Sequence, residues 1–217
     1  MPKQVDHSQR RQEIVDALWR VTAREGLTGV SFREVAAEAG VSVRRVQYYF
    51  GTKAQLLLAS LQLLGERIVG RGMVRIQAAG PEPAPEAILR AAIEGAQPLD
   101  EERRRDVLLF FCFYIASLTD TALAAEVVER QRWMVPMFAE LIRQAAERGE
   151  TRDDIDPAHE AAVLLAANTG LALSALAGLS TPEESMAAMN YQLGRIFRPP
   201  PTRRGGSGSR RGKRTQP

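Results

Sequence analysis

Almost every segment of this chain spaces its apolar residues three and four positions apart, and no stretch alternates polar with apolar residues between hairpin turns. An all-α fold follows. Ser8 stands where it can cap a first helix running to about Glu25, in which Ile14, Ala17, Leu18 and Val21 share one face before Gly26 ends the run. Ser31 caps a short helix from Phe32 to Ala39, and its spacing from Glu34 predicts a capping box. Gly40 stops that helix, Ser42 caps a third running to about Tyr49, and Gly51-Thr52 lead into a fourth from Lys53 to about Gln77. Gly65, Gly70 and Gly72 each weaken the fourth helix by roughly 1 kcal/mol relative to alanine, so bending is expected there. A proline-rich break precedes another helix starting near Pro85, and further helices are expected at 100–118, 121–148, 157–178 and 182–197.

With 217 residues and 45% hydrophobic content, the chain can bury a substantial core. Cys112 is alone, so neither an internal disulfide nor a multi-thiolate metal site can form, and a reducing cytoplasm fits best. His7 and His159 lie far apart without an acidic cluster beside them, so no metal is expected. The polar N-terminus lacks the apolar core of a signal peptide. Residues 161–179 are uncharged and long enough to cross a bilayer. Their alanine content and the polar Asn168, Thr169 and Ser174 point instead to a helix buried between subunits.

The formal charge of +3 hides an asymmetry. After Phe197 the tail carries Arg198, Arg203, Arg204, Arg210, Arg211, Lys213 and Arg214 without one acid, and without it the body is acidic. The first fifty-odd residues are again basic. Local positive potential of that kind is what a phosphate-facing surface needs. Within it, two short helices joined by Ala39-Gly40-Val41-Ser42, with a longer helix before them, make the three-helix unit that sets a recognition helix into the major groove. Val35, Ala36, Val41, Val46 and Phe50 supply a small interior, which leaves Val43, Arg44 and Gln47 on one outward face with Arg45 and Tyr48 beside them. The planar fork of arginine suits guanine O6 and N7, while tyrosine, glutamine, serine and lysine side chains hold phosphates. Lys53 adds a cation at the start of the next helix.

The segment SFREVAAEAGVSVRRVQYYFGTKAQLLL, residues 31–58, resembles the TetR family signature, a Gly-Val-Ser turn before a recognition helix that ends in aromatic-Phe. The LDEERRR run at 99–105, the helix to Leu118-Thr119-Asp120 and the Asn168-Thr169-Gly170-Leu171-Ala172-Leu173 run are similar to the ligand domain of its BetI-like branch. The resemblance implies that Ser31 and Arg33 meet DNA backbone or base at the start of the second helix, and that Val43, Arg44 and Arg45 face base edges. Gln47, Tyr49 and Lys53 would lie near phosphates, with Ser42 and Tyr48 completing the surface. The chain departs from the commoner pattern at Arg44, where a small residue is frequent, and at Gln47, where tyrosine is usual.

For the remainder, 107–118 is apolar on all sides and too short to span a membrane, so it is expected to run through the larger domain. Phe110, Phe111, Phe113 and Tyr114 there can be plain core, or can line a cavity with Trp133, Met134, Met137 and Phe138 of the next helix. Asn168 and Leu171 join that set through the resemblance. Pro136 is expected to kink its helix and widen the cavity. In the family the last two helices pair with their copies in a partner. Here Gly170, Ser174 and Gly178 give a smooth strip, and Met186, Met189, Leu193 and Phe197 an apolar stripe, for a homodimer on a palindromic DNA operator.

These readings divide the chain into a helix-turn-helix domain at 8–53, a ligand-binding and dimerisation domain at 54–198 and a disordered basic tail at 199–217. The tail either adds nonspecific DNA affinity or solubilises. An enzyme is excluded for want of a His or Cys dyad, a phosphate loop or metal spacing, and Asp153, Asp154 and Asp156 read as a polar loop before a helix. No cofactor is implied. The resulting expectation is a cytoplasmic repressor released by a small apolar or aromatic effector, and the rival is a DNA-binding or architectural protein without a ligand.

Overall fold

A computed structural model describes residues 7–78 and 80–198, the side chain of Arg130 excepted, so the basic tail expected at 199–217 lies outside the described residues. The described chain is helical almost throughout. Helix α1 (His7–Glu25) begins one residue before the expected cap, which places Ser8 in its first turn. A 3-10 turn (Leu27–Gly29) leads to α2 (Phe32–Ala39), whose Ser31 cap accepts the Glu34 amide at 3.3 Å without the reciprocal half of the box. Gly40 ends α2 in the left-handed region, at φ 64°, where a β-carbon would be strained. Ser42 caps α3 (Val43–Phe50), accepting the Arg45 amide at 3.2 Å.

The 26 residues of α4 (Lys53–Ala78) stay helical through all three glycines. The start of α4 is fixed by a reciprocal pair: Gln55 donates its amide to Thr52 Oγ1, and Thr52 donates its own to Gln55 Oε1, each at 3.2 Å. The body continues with α5 (Pro85–Gly95) and α6 (Glu101–Ser117), the latter capped by Asp100. Beyond them lie α7 (Thr121–Gln131), α8 (Met134–Glu147), α9 (Pro157–Leu176) and α10 (Pro182–Ile196). Thr181 and Glu184 form a full capping box at the head of α10. An isolated antiparallel bridge joins Thr151 to Phe197.

One expectation is corrected at 121–148, where two helices replace the single kinked one. The break falls at Arg132-Trp133, and Pro136 is the third residue of α8. A continuous helix would drive the proline ring into the Arg132 carbonyl, whereas in a first turn the missing N–H costs nothing.

Among the described residues the buried apolar side chains form three clusters. The first joins Ile14, Leu18, Val35 and Val46 to Leu56, Leu61 and Leu64 of α4 and passes without interruption to Leu109 and Phe113 of α6 and Val127 of α7. The second packs Phe138 and Ile142 of α8 against Leu89, Leu164, Met189 and Leu193. The third is small: Val107, Phe111 and Ala172. Helix α6 therefore divides its stripes, with 109 and 113 facing the cluster of α1 to α4 and 107 and 111 facing α9.

A charged clamp crosses these layers. Asp106, 1% exposed, lies 2.5 Å from Arg71 Nη1 and 3.1 Å from Arg67 Nε, contacts set by charge rather than by aligned hydrogen bonds. Arg67 also reaches Glu102 at 2.7 Å and lies 5.6 Å from the Trp19 ring centre, while Trp19 donates its indole N–H to Ser60 Oγ at 2.8 Å. Thus α1, α4 and α6 are tied at one place. Helix α9, with a mean hydropathy of 1.2, is long and apolar enough to cross a membrane, and only 28% of that window is buried, so one side of it is left without cover.

If α8 begins where the structure places it, Pro136→Ala changes stability by less than about 1 kcal/mol, whereas relief of a mid-helix proline would raise it by about 3 kcal/mol. Urea unfolding followed by circular dichroism separates the two.

Candidate nucleic-acid interface

The exposed side of α3 is set by what its buried side holds. Val46 and Phe50, 0% and 4% exposed, plug into α1 and α2, and the helix period then turns Val43, Arg44, Arg45, Gln47 and Tyr48 to solvent. Arg33 and Lys53 are exposed on the neighbouring helices, and Tyr49 is half-buried. The hydroxyl oxygens of Ser31 and Ser42 accept cap bonds, which leaves each O–H proton free to donate outward.

Charge divides the head into two sides. Among the described residues no carboxylate lies within ion-pair distance of Arg33, Arg44, Arg45 or Lys53. Away from α3, Glu38 holds Arg20 at 2.6 Å and Arg24 at 3.3 Å. The Arg20 guanidinium, with Arg24 behind it, keeps the Glu38 carboxyl below its ordinary range, so those cations stay compensated. The unpaired cations are the ones able to take phosphate or base edges.

Two supporting residues escaped sequence reasoning. Arg11 Nη1 donates to the Tyr49 carbonyl at 2.7 Å, and its guanidinium lies 4.5 Å over the Phe50 ring. His7 meets Tyr49 edge-on at 4.7 Å, and Tyr49 meets Tyr48 at 5.3 Å. Together they pin the C-terminal end of α3 to α1. Nothing in the local pattern announces a contact between positions 38 residues apart.

The expected effector residues do not gather at one place. Phe113 is packed in the cluster beneath the head, Phe138 in the one between α8, α9 and α10, and Phe111 in the third. Phe110 stacks on Tyr114 at 5.9 Å where the first and third clusters meet, and Met137 and Leu171 edge the second. Met134 is half-buried and Trp133 exposed. Asn168 is buried, and its carbonyl and Oδ1 accept from Gln97 Nε2 at 2.9 and 2.7 Å. Gln97, absent from the expected set, keeps a fully buried Oε1 without a hydrogen-bond partner. Burial raises the Cys112 thiol above its ordinary range, which makes it a poor nucleophile. Among the described residues no three His, Cys, Asp or Glu gather as a metal site.

Two clefts lie elsewhere. One of about 410 Å³ opens beside Arg11, Phe50 and Gln55, and one of about 640 Å³ separates α1 from α6. None of the expected effector residues lines either.

On the far side of the body, Met189, Leu193 and Phe197 turn into the subunit's own core, which corrects their place on a partner-facing stripe. A stripe at helical spacing marks the side of α10 that packs, and the side it packs on is α8 and α9. Met186 and Ser174 are half-buried and Gly170 exposed, while Gly178 lies beyond the end of α9 in the left-handed region at φ 73°. The exposed side of α9 and α10 carries Ala162, Val163, Gly170, Leu173, Ala187 and Tyr191 together with the polar Thr169, Asn190 and Arg195.

Comparison with known proteins agrees with this architecture. Residues 14–60 match the family described as bacterial regulatory proteins, tetR family, and residues 85–198 match the BetI-type transcriptional repressor C-terminal family. The chain is 35% identical over 113 residues to the HTH-type transcriptional regulator PksA of Bacillus subtilis (strain 168), covering 52% of this chain and 54% of that protein. It is 34% identical over 98 residues to the HTH-type transcriptional regulator BetI of Rhizobium meliloti (strain 1021), covering 45% and 48%. The chain thus spans about half the length of the curated relatives it matches. A transcriptional regulator from Rhodococcus sp. Rha1 superposes with a TM-score of 0.73 at 31% identity, over 86% of this chain and 95% of that one. A protein from Saccharomonospora viridis, solved in complex with choline, shares the fold with a TM-score of 0.79 at 21% identity, over 88% and 98%.

Because Arg11 serves the end of α3 through a carbonyl and a ring, Arg11→Met is expected to lower stability by about 2 kcal/mol. Thermal unfolding of the two proteins reads this directly.

Proposed function

The chain belongs to the TetR family of bacterial regulators, with a BetI-type C-terminal domain, and we propose that it is a dimeric repressor that leaves a palindromic operator when a small molecule enters its body. It is a transcriptional regulator and not an enzyme. Family members bind DNA operators and typically act as dimers with small-molecule effectors. The observation that carries the reading is the unpaired cationic surface of α3, with Arg44 and Arg45 outward and Val46 and Phe50 inward. In this reading the arginines take base edges. Ser31, Arg33, Ser42, Gln47, Tyr48, Tyr49 and Lys53 hold the backbone and set the register. The unit that reads DNA is 8–53, the effector and partner unit is 54–198, and the protein works in the cytoplasm beside its DNA.

Support for an effector comes from the body. Its apolar residues fall into separate clusters, Phe110, Tyr114, Met137 and Leu171 stand at their margins, and Gln97 Oε1 is a buried acceptor still to be satisfied. A polar ligand donor or a water would meet it. Choline, held by the Saccharomonospora viridis protein, and neutral aromatic compounds are the first probes for thermal shift. Support for a dimer comes from α9 and α10, whose exposed small and apolar residues let another helix pair approach closely. A ligand that shifts α4 changes the spacing of two heads, and DNA and ligand then oppose each other by about 1–3 kcal/mol.

On an operator selected from random duplexes, Arg44→Ala or Arg45→Ala reduces the preference over scrambled DNA by about 1–3 kcal/mol each. Lys53→Ala weakens all duplexes alike and lowers the salt slope by about one. Fluorescence anisotropy across a salt series measures both, and an unchanged preference in the arginine variants removes α3 from base reading. In sedimentation, the wild type is expected as a dimer and Leu173→Arg as a monomer with unchanged helicity.

A further inference from the structure

The 640 Å³ cleft between head and body has no part in the reading above. Asp16, Trp19, Arg20, Ala23 and Arg24 of α1 form one wall, and Glu101, Arg104, Arg105 and Leu108 of α6 form the other. Its volume falls in the range of small-molecule sites, about 300–1,000 Å³. Most carboxylates around it are already held. Glu38 is shared by Arg20 and Arg24, Asp106 is clamped by Arg67 and Arg71, Glu102 takes Arg67, and Asp16 accepts from Gln12 at 2.9 Å.

The two arginines on the body wall are different. Arg104 has no ion pair among the described residues, and its Nη2 donates to the Leu176 carbonyl at 3.3 Å. Arg105 meets Glu101 only at 3.8 Å, with 63% of its side chain exposed. Two guanidinium forks with donors to spare thus line the cleft, with Leu108 beside them on α6 and Ala23 and Trp19 on the α1 wall. That pairing of uncommitted fork and apolar wall suits a carboxylate on a flat carbon skeleton, with the oxygens on the forks and the skeleton against the wall.

We propose that this cleft is a second ligand site, separate from the body interior, for aromatic carboxylates held by Arg104 and Arg105. Because its walls belong to the reading head and to the body, an occupant touches both, and its binding is linked reciprocally to that of DNA.

The test is calorimetry of the full-length protein with 2-naphthoate at fixed ionic strength. Inorganic phosphate serves as the bare-anion arm and 2-naphthalenemethanol as the neutral arm. One saturable site per chain is expected for the carboxylate, weakened at least about tenfold in R104Q/R105Q. R44Q/R45Q, which removes charge from the DNA-facing side, is expected to bind the carboxylate as the wild type does. Both wall arginines are exposed, so R104Q/R105Q should keep its fold and its affinity for duplex without naphthoate, checked by circular dichroism and anisotropy. Saturating naphthoate should shift duplex affinity at least about threefold in the wild type and not in R104Q/R105Q. The proposal is overturned by unaltered naphthoate binding in R104Q/R105Q, which would place the ligand in the body interior. Loss that follows R44Q/R45Q, equal binding of phosphate or of the neutral arm, or an unshifted duplex affinity would overturn it too. Calorimetry needs no operator, so naphthoate binding is tested independently of the regulator reading, on which only the duplex arm rests.

Discussion

The Asp106 carboxylate, shut away from water between Arg67 and Arg71, is the tie on which the arrangement of head and body rests. Stripping solvent from a carboxylate costs several kcal/mol, and only close opposite charge offsets it, so α4 and α6 hold one relative register or lose the compensation. Arg67 extends the same constraint to α1 by lying over Trp19, whose indole is bonded to Ser60. The helix that carries the reading head is thereby joined to the body through charge, and the first apolar cluster runs through the same three helices.

At the head the design is a separation of charge. Glu38 and Glu25 neutralise Arg20 and Arg24 of α1, whereas Arg33 on α2 and Arg44 and Arg45 on α3 have no carboxylate within ion-pair distance among the described residues. The fixed parts are apolar or backbone-directed: Val46 and Phe50 inside, Gly40 at the corner, Arg11 on the Tyr49 carbonyl. A recognition surface needs that rigidity beneath it, because side chains that read base edges must be presented by a scaffold that does not move with them.

The body follows a different logic. Helices α6, α9 and α10 are apolar on more than one side, and each side has its own destination. On α10, Met189 and Leu193 fill the core and leave Ala187, Ala188, Gly194 and Tyr191 outside, with the polar Glu183, Glu184, Asn190 and Arg195. On α9, Ala161, Leu164 and Ala172 are buried while Val163 and Leu173 stay exposed. Large and small apolar side chains therefore occur on both sides of α9 and α10, and size alone does not mark which side packs within the subunit.

Local chemistry was readable before any fold was known. Helix ends at Ser31, Gly40, Ser42 and Asp156 follow from side-chain caps and from the freedom of glycine, which act over three or four residues and are written in adjacent letters. The outward set on α3 is likewise the complement of a short apolar stripe. What stayed hidden depends on partners distant in sequence: Arg11 with Tyr49, Arg71 with Asp106, Gln97 with Asn168. Periodicity says that a helix has an apolar side, but not which neighbour covers it. For that reason periodicity alone sends Met189, Leu193 and Phe197 to a partner and aromatic residues of three clusters to one cavity. The helices and their caps are properties of short stretches of chain, whereas the destination of each apolar side is a property of how the helices of the described residues fill space together.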